Sequence, residues 1–475
     1  MQPTIVRRRR VAAAVAALGL TAAAGQAYGS AFALQEQNAS GLGHAYAGGA
    51  AAAEDVSTIF YNPAGLVRLQ TMQLVVAGNV ICPSAKFNDN GGSRPAAFQP
   101  LGGTGGDAGS CAVVPNLYLG IPFTDKWSFG LGVNVPYGLK TEYDDGWMGR
   151  FQGLKSELKT INVNPALSWE PTKNLTVGAG VSWQKIDATL TQQINYAAAF
   201  GQGVGQAVAG GVVPGAVAPT LVGSAAGLES HANINGSDSA WGWDVGVLWQ
   251  FSEQTRVGAA YRSKIKYHID GTIDISNPGS LGTLPTPLAP VGAAIMRQVS
   301  ANPSLQSGGV TLDIEMPDTA NVSVFHQFNN PWDLMADIQY TGWSSIQELR
   351  INRASGAPPA VTPENFRNTW RYSVGANYRY SDAWTFRGGL AYDQSPVRDE
   401  DRTPRLPDND RTWVAVGVQY RFSPSVAVDV AYSHIFIKDG SINQNAGSTA
   451  ANGLLSGSFD SNVNIFGVQL TYTAK

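Results

Sequence analysis

Charged side chains, cysteines and long apolar runs are all scarce in this chain of 475 residues. Charged residues make up 14% of the sequence, against about 25% in an average soluble protein. The net charge of -3 argues against nucleic-acid binding, which requires a concentrated basic surface. From about residue 310 to the C-terminus, no fully apolar stretch is long enough for a membrane helix.

Only two cysteines occur, Cys82 and Cys111, and they bracket a glycine-rich stretch. In an exported protein, an isolated pair most simply forms a disulfide that closes a loop, although spacing alone does not prove it. The five histidines are scattered, and none is near a cysteine in sequence. We therefore expect no metal site and no cofactor.

The N-terminus predicts export. Four arginines at positions 7–10 precede an apolar run from Val11 to Ala24, which fits a signal peptide and is short for a membrane span. Small residues at Ala27 and Gly29 favour cleavage before Ser30, with earlier cleavage after residue 24 or 27 as alternatives. The predicted signal peptide covers residues 1–29.

Alternation of apolar and polar residues is the main structural signal. Between Thr412 and Phe422, valines and aromatic residues occupy one face, while Trp413, Gly417 and Arg421 lie on the other. The same period of two recurs near residues 371–380 and 426–433. One face suits lipid and the other a polar lumen, which predicts an all-β transmembrane barrel. A soluble antiparallel sandwich also alternates and remains an alternative on this pattern alone.

Connections of two sizes alternate along the chain. Short turns are predicted near residues 122–126, 170–173, 251–254, 329–331, 380–383 and 422–424. Long stretches rich in small residues and proline lie near residues 83–111, 138–156, 192–237, 276–309, 351–366, 394–409 and 438–460. Six turns and seven loops join fourteen antiparallel strands, with both barrel ends on the short-turn, periplasmic side. A sandwich has no reason to segregate its loops in this way.

The segment from residue 30 to residue 70 lacks strand alternation and precedes the first plausible strand, near Met72 to Ile81. We predict that it forms a plug inside the lumen, followed by the barrel at residues 71–475. Within it, Asn62, Pro63 and Ala64 predict a rigid turn that positions a gate. Its predicted substrate-path residues are Phe32, Leu34, Phe60, Tyr61 and Leu66.

Several strings resemble the FadL-type outer-membrane transporters, which carry long-chain fatty acids and other hydrophobic molecules. They are SGLGHAYAG with Asn62-Pro63-Ala64, GRFQGLKSELKTINVNPALSW, YRSKIK, TGWSSIQEL, WTFRGGLAYDQSPV and LPDNDRTW, in that order. The resemblance implies a fourteen-stranded barrel with an N-terminal hatch (a movable plug). It also implies substrate capture near the outer face, hatch rearrangement, and lateral exit beside a kinked third strand.

The predicted third strand, Trp127 to Tyr137, carries Gly130, Gly132 and Pro136, which we take as the candidate lateral opening. Pro136 cannot donate a ladder hydrogen bond, but it can equally well mark the end of the strand. Candidate contacts for a substrate carboxylate are Arg350, Arg379, Arg387 and Arg421, although luminal arginines often pair with aspartates instead.

The sequence therefore predicts a non-enzymatic outer-membrane transporter for hydrophobic molecules, with long-chain fatty acids favoured. Aromatic or alkane hydrocarbons are the alternative cargo, and a general porin for polar solutes is the alternative function. A hydrolase would need a Ser-His-Asp arrangement, which no motif here indicates. We expect a monomer surrounded by outer-membrane lipid and lipopolysaccharide. An adhesin or purely structural barrel is what remains if no hydrophobic ligand binds.

Overall fold

A computed structural model describes residues 30–444 and 451–474. The predicted signal peptide lies outside the described residues. Twenty strand segments form one sheet, and because six strands are interrupted once each, they make fourteen barrel strands. The strands are β1 (Gln73–Asp89), β2 (Ala112–Thr124), β3 (Trp127–Asn134 and Gly138–Glu142), β4 (Lys155–Thr172), β5 (Leu175–Asn195), β6 (Glu229–Gln250), β7 (Thr255–Arg262 and Ile265–Ile275), β8 (Gly308–Met316 and Thr319–Gln327), β9 (Trp332–Thr341 and Glu348–Arg353), β10 (Ala360–Pro363 and Thr369–Arg379), β11 (Trp384–Asp393), β12 (Arg411–Ser423), β13 (Val426–Ile437 and Gly440–Gln444) and β14 (Leu455–Thr473).

Each strand pairs antiparallel with its neighbours in sequence, and β1 pairs with β14 from Gln73↔Thr473 to Asp89↔Gly457. This last ladder closes the sheet into a barrel and leaves no free edge. The predicted fourteen-stranded antiparallel barrel is therefore confirmed.

The alternation predicted from sequence has its structural counterpart in burial. In β12, Val414 and Val416 are exposed on the outside, while Trp413 and Ala415 are buried inside. Most large exposed apolar side chains lie on the barrel strands, where lipid is their natural solvent. Exposed aromatic residues cluster at the short-turn end, as an interfacial girdle requires: Trp169, Trp249, Phe251, Trp332, Tyr380, Trp384 and Phe422.

The six short turns fall where the sequence predicts them, but several strands run further into the long-loop end. β1 continues to Asp89, although we predicted a loop from residue 83, and β5 and β6 pair as far as Asn195↔Glu229. The predicted loop ranges are too long because their small and polar residues do not interrupt a backbone ladder. Polar side chains on the outer face mark the level at which the barrel wall extends beyond its lipid-facing apolar belt.

Five short α-helices and four 3-10 helices complete the described structure. The α-helices are α1 (Ala39–Leu42), α2 (Thr58–Tyr61), α3 (Tyr196–Ala209), α4 (Ala218–Ser224) and α5 (Ala289–Ser300). Within residues 30–444 and 451–474, no helix has the length and apolar character needed to cross a membrane. Helices α3, α4 and α5 belong to the long-loop end and pack around Phe200, Leu221 and Ile295.

Candidate functional site

The third strand is interrupted, and its pairing with β2 ends at the interruption. β3 stops at Asn134 and resumes at Gly138, and both pieces pair with β4. On the other side, β2 pairs with β3 only as far as Val133. Pro136 lies in the break and has no backbone N–H to donate. The strand therefore resumes beyond Pro136 and does not end there; its use as a lateral opening stays a prediction.

The N-terminal segment, residues 30–70, supplies the partners that β2 does not. The Leu34 amide donates a hydrogen bond to the Pro136 carbonyl at 2.8 Å. The Gln37 side chain donates from Nε2 to the Val135 carbonyl at 2.9 Å. Because these backbone carbonyls are buried, they need a donor to avoid a desolvation penalty. Part of the wall thus depends on a segment that is not a barrel strand.

Phe32 joins this break to a second irregularity in the wall. Its carbonyl accepts from the Gly138 amide at 2.9 Å. Its ring packs edge-on against Trp343 and Tyr137, with centroid distances of 4.7 and 6.1 Å. Trp343 is fully buried and lies in the interruption of β9. Phe32 therefore connects the break in β3 with the interruption of β9 through aromatic packing.

A cavity lies between the N-terminal segment and the wall, beside the break in β3. Side chains from the segment, from the break and from β6 to β9 surround it, and most of them are apolar or aromatic. The main lining residues are Leu34, Phe60, Tyr61, Pro63, Pro136, Tyr137, Val245, Tyr261 and Arg262. Asp244 also lines it, so the cavity carries one acidic and one basic group beside a mainly apolar lining, which is typical of a site for an amphipathic ligand.

Arg262 supplies the positive charge of this cavity. Its guanidinium lies 4.6 Å from the centroid of the Phe60 ring and donates from Nη2 to the Phe60 carbonyl at 3.0 Å. A further bond of 3.2 Å joins Nη1 to the Ser182 hydroxyl. The nearest carboxylate oxygen recorded for Arg262, on Asp244, is 4.0 Å away, so this charge is only loosely paired.

The Asn62-Pro63-Ala64 turn is fixed to the wall by its asparagine. Asn62 is fully buried and donates from Nδ2 to the carbonyls of Ala50 and Val247, at 2.7 and 3.0 Å. Its Oδ1 accepts from the Ala64 amide at 3.0 Å, and Pro63 begins the 3-10 helix Pro63–Arg68. The turn is therefore rigid in itself and tied to β6.

Two wall arginines hold backbone carbonyls of the segment on the side away from β3. Arg371 of β10 donates from Nη2 to the Ala45 carbonyl at 2.7 Å. Arg256 of β7 donates to the carbonyls of Ala51 and Ala52 at 3.0 and 2.7 Å. Charge-assisted bonds of this kind are stronger than neutral ones, so this side of the segment is firmly attached.

A buried ion network adds to this attachment. Arg387 of β11 pairs with Asp429 of β13 and lies 3.3 Å from Glu54 of the segment. Glu54 also lies 3.7 Å from His44, which is part of the same segment. Removing one member would leave buried charge without compensation, which is costly in a protein interior.

The loop between β11 and β12, residues 394–410, folds into the barrel mouth. Its Arg405 donates to the Ser156 hydroxyl of β4 and to the Gln192 side chain of β5, at 3.1 and 2.8 Å. Asp408 accepts from the Ala31 amide at 2.9 Å. Strands β4 and β5 lie across the barrel from β11 and β12, so this loop spans the lumen above the N-terminal segment.

Glu364 is a buried acid at the same level, in the interruption of β10. Burial raises the pKa of Glu364 to about 8, and the charge of Asp401 adds to this shift, while Arg405 opposes it. Burial also lowers the pKa of Arg405 to about 10, although Glu364 opposes that shift. This region therefore holds a carboxyl group that is protonated near neutral pH.

The chain matches the family model described as "Outer membrane protein transport protein (OMPP1/FadL/TodX)" over residues 20–474. The chain belongs to this family. It is 29% identical over 453 residues to the "Long-chain fatty acid transport protein" of Escherichia coli (strain K12), which covers 93% of this chain and 95% of that protein. It is 30% identical over 443 residues to "Outer membrane protein P1" of Haemophilus influenzae (strain ATCC 51907 / DSM 11121 / KW20 / Rd), covering 88% of both chains.

Solved structures agree with the FadL-type assignment. The crystal structure of a Pseudomonas aeruginosa FadL homologue superposes with a TM-score of 0.79 at 27% identity, covering 93% of this chain and 99% of that one. The Pseudomonas putida toluene transporter TodX gives 0.65 at 20% identity, covering 94% and 99%. The second likeness shows the shared fold alone. The resemblance stated from sequence is confirmed.

The substrate-path residues predicted for this FadL-type protein come together only in part. Leu34, Phe60 and Tyr61 line the cavity. Phe32 packs above it against Trp343, and Leu66 is buried in a separate cluster with Ile59 and Val75. The residues proposed for the lateral opening also separate: Pro136 lies in the break, while Gly130 and Gly132 lie in the regular ladder with β2.

The four arginines predicted to bind a carboxylate lie elsewhere. Arg350 is paired with Glu348 at 2.6 Å and is half exposed. Arg379 bonds to the Asn330 carbonyl at 2.8 Å at the short-turn end, and Arg421 is exposed. Arg387 is occupied by the ion network, and the cavity lining contains none of the four.

Sequence reasoning missed Arg262, the arginine that does line the cavity. Its position in the YRSKIK string and its phase with Arg256 and Gly258 place it on the luminal face, and both signals were available. The predicted pair Cys82 and Cys111 is joined by a disulfide, which ties β1 to the residue before β2.

Proposed function

We propose that this protein carries hydrophobic molecules, long-chain fatty acids in particular, inward across the outer membrane. The observation that supports this proposal is the cavity in which apolar and aromatic side chains surround the guanidinium of Arg262. The lining suits an acyl chain, and the cation suits its carboxylate. The name of the Escherichia coli relative, a long-chain fatty acid transport protein, points to the same cargo.

In this proposal, residues 30–70 are the hatch, residues 1–29 are a cleaved signal peptide, and the barrel begins at residue 71. Asn62, Pro63 and Ala64 keep the gate in position against β6. The hatch closes the lumen in the resting state because its backbone and side chains occupy the space between opposite walls. Ligand binding beside Leu34 and Tyr61 moves the part of the hatch that borders β3.

The exit route in this proposal is sideways, through the break in β3. Withdrawal of Leu34 and Gln37 frees the carbonyls of Pro136 and Val135 and removes the filling between β2 and β3. A lateral exit lets the acyl chain pass into the lipid without crossing bulk water. Exposing apolar surface to water costs about 25 cal/mol for each Å², which makes a water-filled pore unsuitable for such cargo.

The helices α3 to α5 offer a first contact for the ligand on the outer side. Their shared cluster contains Phe200, Val204, Leu221 and Ile295, with partly buried leucines and valines around it. The residues of the cluster itself are buried, but partly buried neighbours such as Val222, Leu284 and Met296 leave some apolar surface in the outer loops, where a ligand could make contact.

We assign no chemical step and no cofactor to this protein. Membrane lipid and lipopolysaccharide surround the barrel, which acts as a monomer.

The substrate assignment is tested by replacing the cavity arginine. In Arg262→Gln, we expect binding of palmitate to weaken about 10- to 100-fold, because a charge-assisted bond contributes about 1.5–3 kcal/mol. Binding of hexadecanol should change little. Fluorescence competition on purified protein measures both ligands. The matched control is Arg350→Gln, since that arginine is paired outside the cavity.

Two outcomes would contradict the fatty-acid assignment. Unchanged palmitate binding by Arg262→Gln would remove the carboxylate contact. Tighter binding of toluene or an alkane than of palmitate by the unmodified protein would favour hydrocarbon uptake.

The hatch is tested separately: deletion of residues 30–69 should raise conductance in planar bilayers, and an unchanged trace would favour a general porin.

A further inference from the structure

Glycines on the inner face of the barrel are concentrated where the N-terminal segment touches the wall. Five of them stand so close to the backbone of the segment that a Cβ atom would overlap it or press on it. The five are Gly178, Gly258, Gly375, Gly389 and Gly417. They lie on β5, β7, β10, β11 and β12, so the contact extends over two separate parts of the wall.

The overlaps on this side involve main-chain atoms that cannot rotate away. A Cβ at Gly258 would overlap the Ala50 carbonyl oxygen, and one at Gly389 would overlap the His44 carbonyl. At Gly375, the nearest atom would be the His44 carbonyl oxygen at 2.8 Å, and at Gly417 it would be the Gly43 Cα at 2.7 Å. Backbone therefore packs directly on backbone at these points.

The contacts on β2 and β3 are of a different kind. A Cβ at Gly130 would meet the tip of Ile59, with Cδ1 at 2.6 Å. One at Gly120 would meet Leu69 Cδ1 at 2.6 Å. These are the far ends of flexible side chains, which can change rotamer at small cost. At these two glycines the wall touches the segment through side-chain atoms, and at the break it is joined to the segment by hydrogen bonds, which can break without steric overlap.

We infer that the inward glycines form a socket that fixes the N-terminal segment against β5–β7 and β10–β12, so that its β2–β3 side, held by hydrogen bonds and side-chain contacts, is the side that moves. The arginine contacts are distributed in the same way, because Arg256 and Arg371 belong to the fixed side. The role of this socket rests on the proposed hatch movement. The socket directs that movement toward the break in β3.

Neighbouring glycines of β11 provide a matched test in the full-length protein. Gly389 faces the His44 carbonyl, whereas Gly388 faces outward with no other atom within 4 Å of an added Cβ. We expect Gly389→Ala to raise the open fraction in planar bilayers about tenfold relative to Gly388→Ala, because overpacking of about 1.4 kcal/mol corresponds to that factor. Gly120→Ala, whose added Cβ would meet the tip of Leu69, should change the open fraction less than twofold.

Equal traces from Gly388→Ala and Gly389→Ala would overturn the socket, and so would an equally large effect of Gly120→Ala. If Gly389→Ala does not assemble in the membrane, Gly375→Ala replaces it, since its overlap is milder. The measurement needs no fatty acid. A wrong substrate assignment therefore leaves this result unchanged, and a failed socket leaves palmitate binding unchanged.

Discussion

The barrel wall is interrupted at β9–β10 and at β3, and the unpaired backbone groups find hydrogen-bond partners in different ways at the two places. The interruptions of β9 and β10 face each other and bond to each other, as in the Glu364 and Asn365 amides donating to the Gln347 carbonyl, both at 2.9 Å. In the interruption of β3, Tyr137 still bonds to Thr160 of β4, but the carbonyls of Val135 and Pro136 accept from the N-terminal segment. One irregularity is thus completed within the wall, while the other also depends on a segment that is not a barrel strand.

Damage at the two interruptions should therefore affect different properties, the stability of the barrel at one and its conductance at the other. Damage to the β9–β10 interruption should destabilise the barrel without opening it, because its hydrogen bonds stay within the wall. Damage to the contacts at the β3 break should open the barrel at little cost in stability, because the two ladders with β2 and β4 remain. The following changes test this separation.

The largest effect on stability is expected for Trp343→Ala. Trp343 is fully buried between Phe32 and Phe366, and truncation of a buried tryptophan costs about 3–5 kcal/mol of unfolding free energy. Urea unfolding in lipid vesicles measures the loss, and conductance should stay close to that of the unmodified protein. Trp370→Ala is the control, since Trp370 faces lipid and is exposed. A large conductance increase would remove the distinction between the two interruptions.

The next effect is a pH dependence caused by Glu364. Because its pKa is raised from 4.5 to about 8, folding favours the protonated form. The stability contribution is complete below pH 4.5 and is lost as the pH rises toward 8, by at most about 1.4 kcal/mol per pH unit. Urea midpoints between pH 5 and pH 9 should fall, and the slope should flatten in Glu364→Gln. An identical slope in that variant would exclude Glu364 as the cause.

The smallest effect on stability is expected for Gln37→Leu. Its effect on conductance should nevertheless be larger than that of Trp343→Ala. This change removes the donor to the Val135 carbonyl and should cost about 1–3 kcal/mol, because a buried acceptor loses its partner. Conductance should increase in planar bilayers. Gln35→Leu serves as the control in the same segment. If both variants stay closed, the bond to Val135 does not hold the β3 break shut.

The sequence was sufficient for features that repeat along the chain. Turn chemistry located all six short turns, and a period of two placed Val414 outside and Trp413 inside. Both signals are local, since they depend on residues that are close in sequence. Strand ends at the long-loop side were predicted less well, because pairing continues wherever a partner backbone is available.

The candidate site was only partly predictable for the same reason. Pro136 marked the right place, but its sequence context fitted either a strand end or a break. The outcome depended on β4, which pairs with β3 on both sides of the break. Arg387 and Arg262 share the same luminal phase, yet only Arg262 lines the cavity, because the cavity is bordered by β6 to β9 whereas Arg387 lies on β11 and pairs with Asp429 of β13.

The amino-acid sequence by itself determined the architecture: an alternating chain with six turns and seven loops has little choice but a fourteen-stranded barrel, since each strand must satisfy its backbone next to lipid. Tertiary structure alone decided where the wall is incomplete and what completes it. Those contacts join residues about a hundred positions apart, such as Gln37 with Val135, and a local sequence pattern cannot predict them.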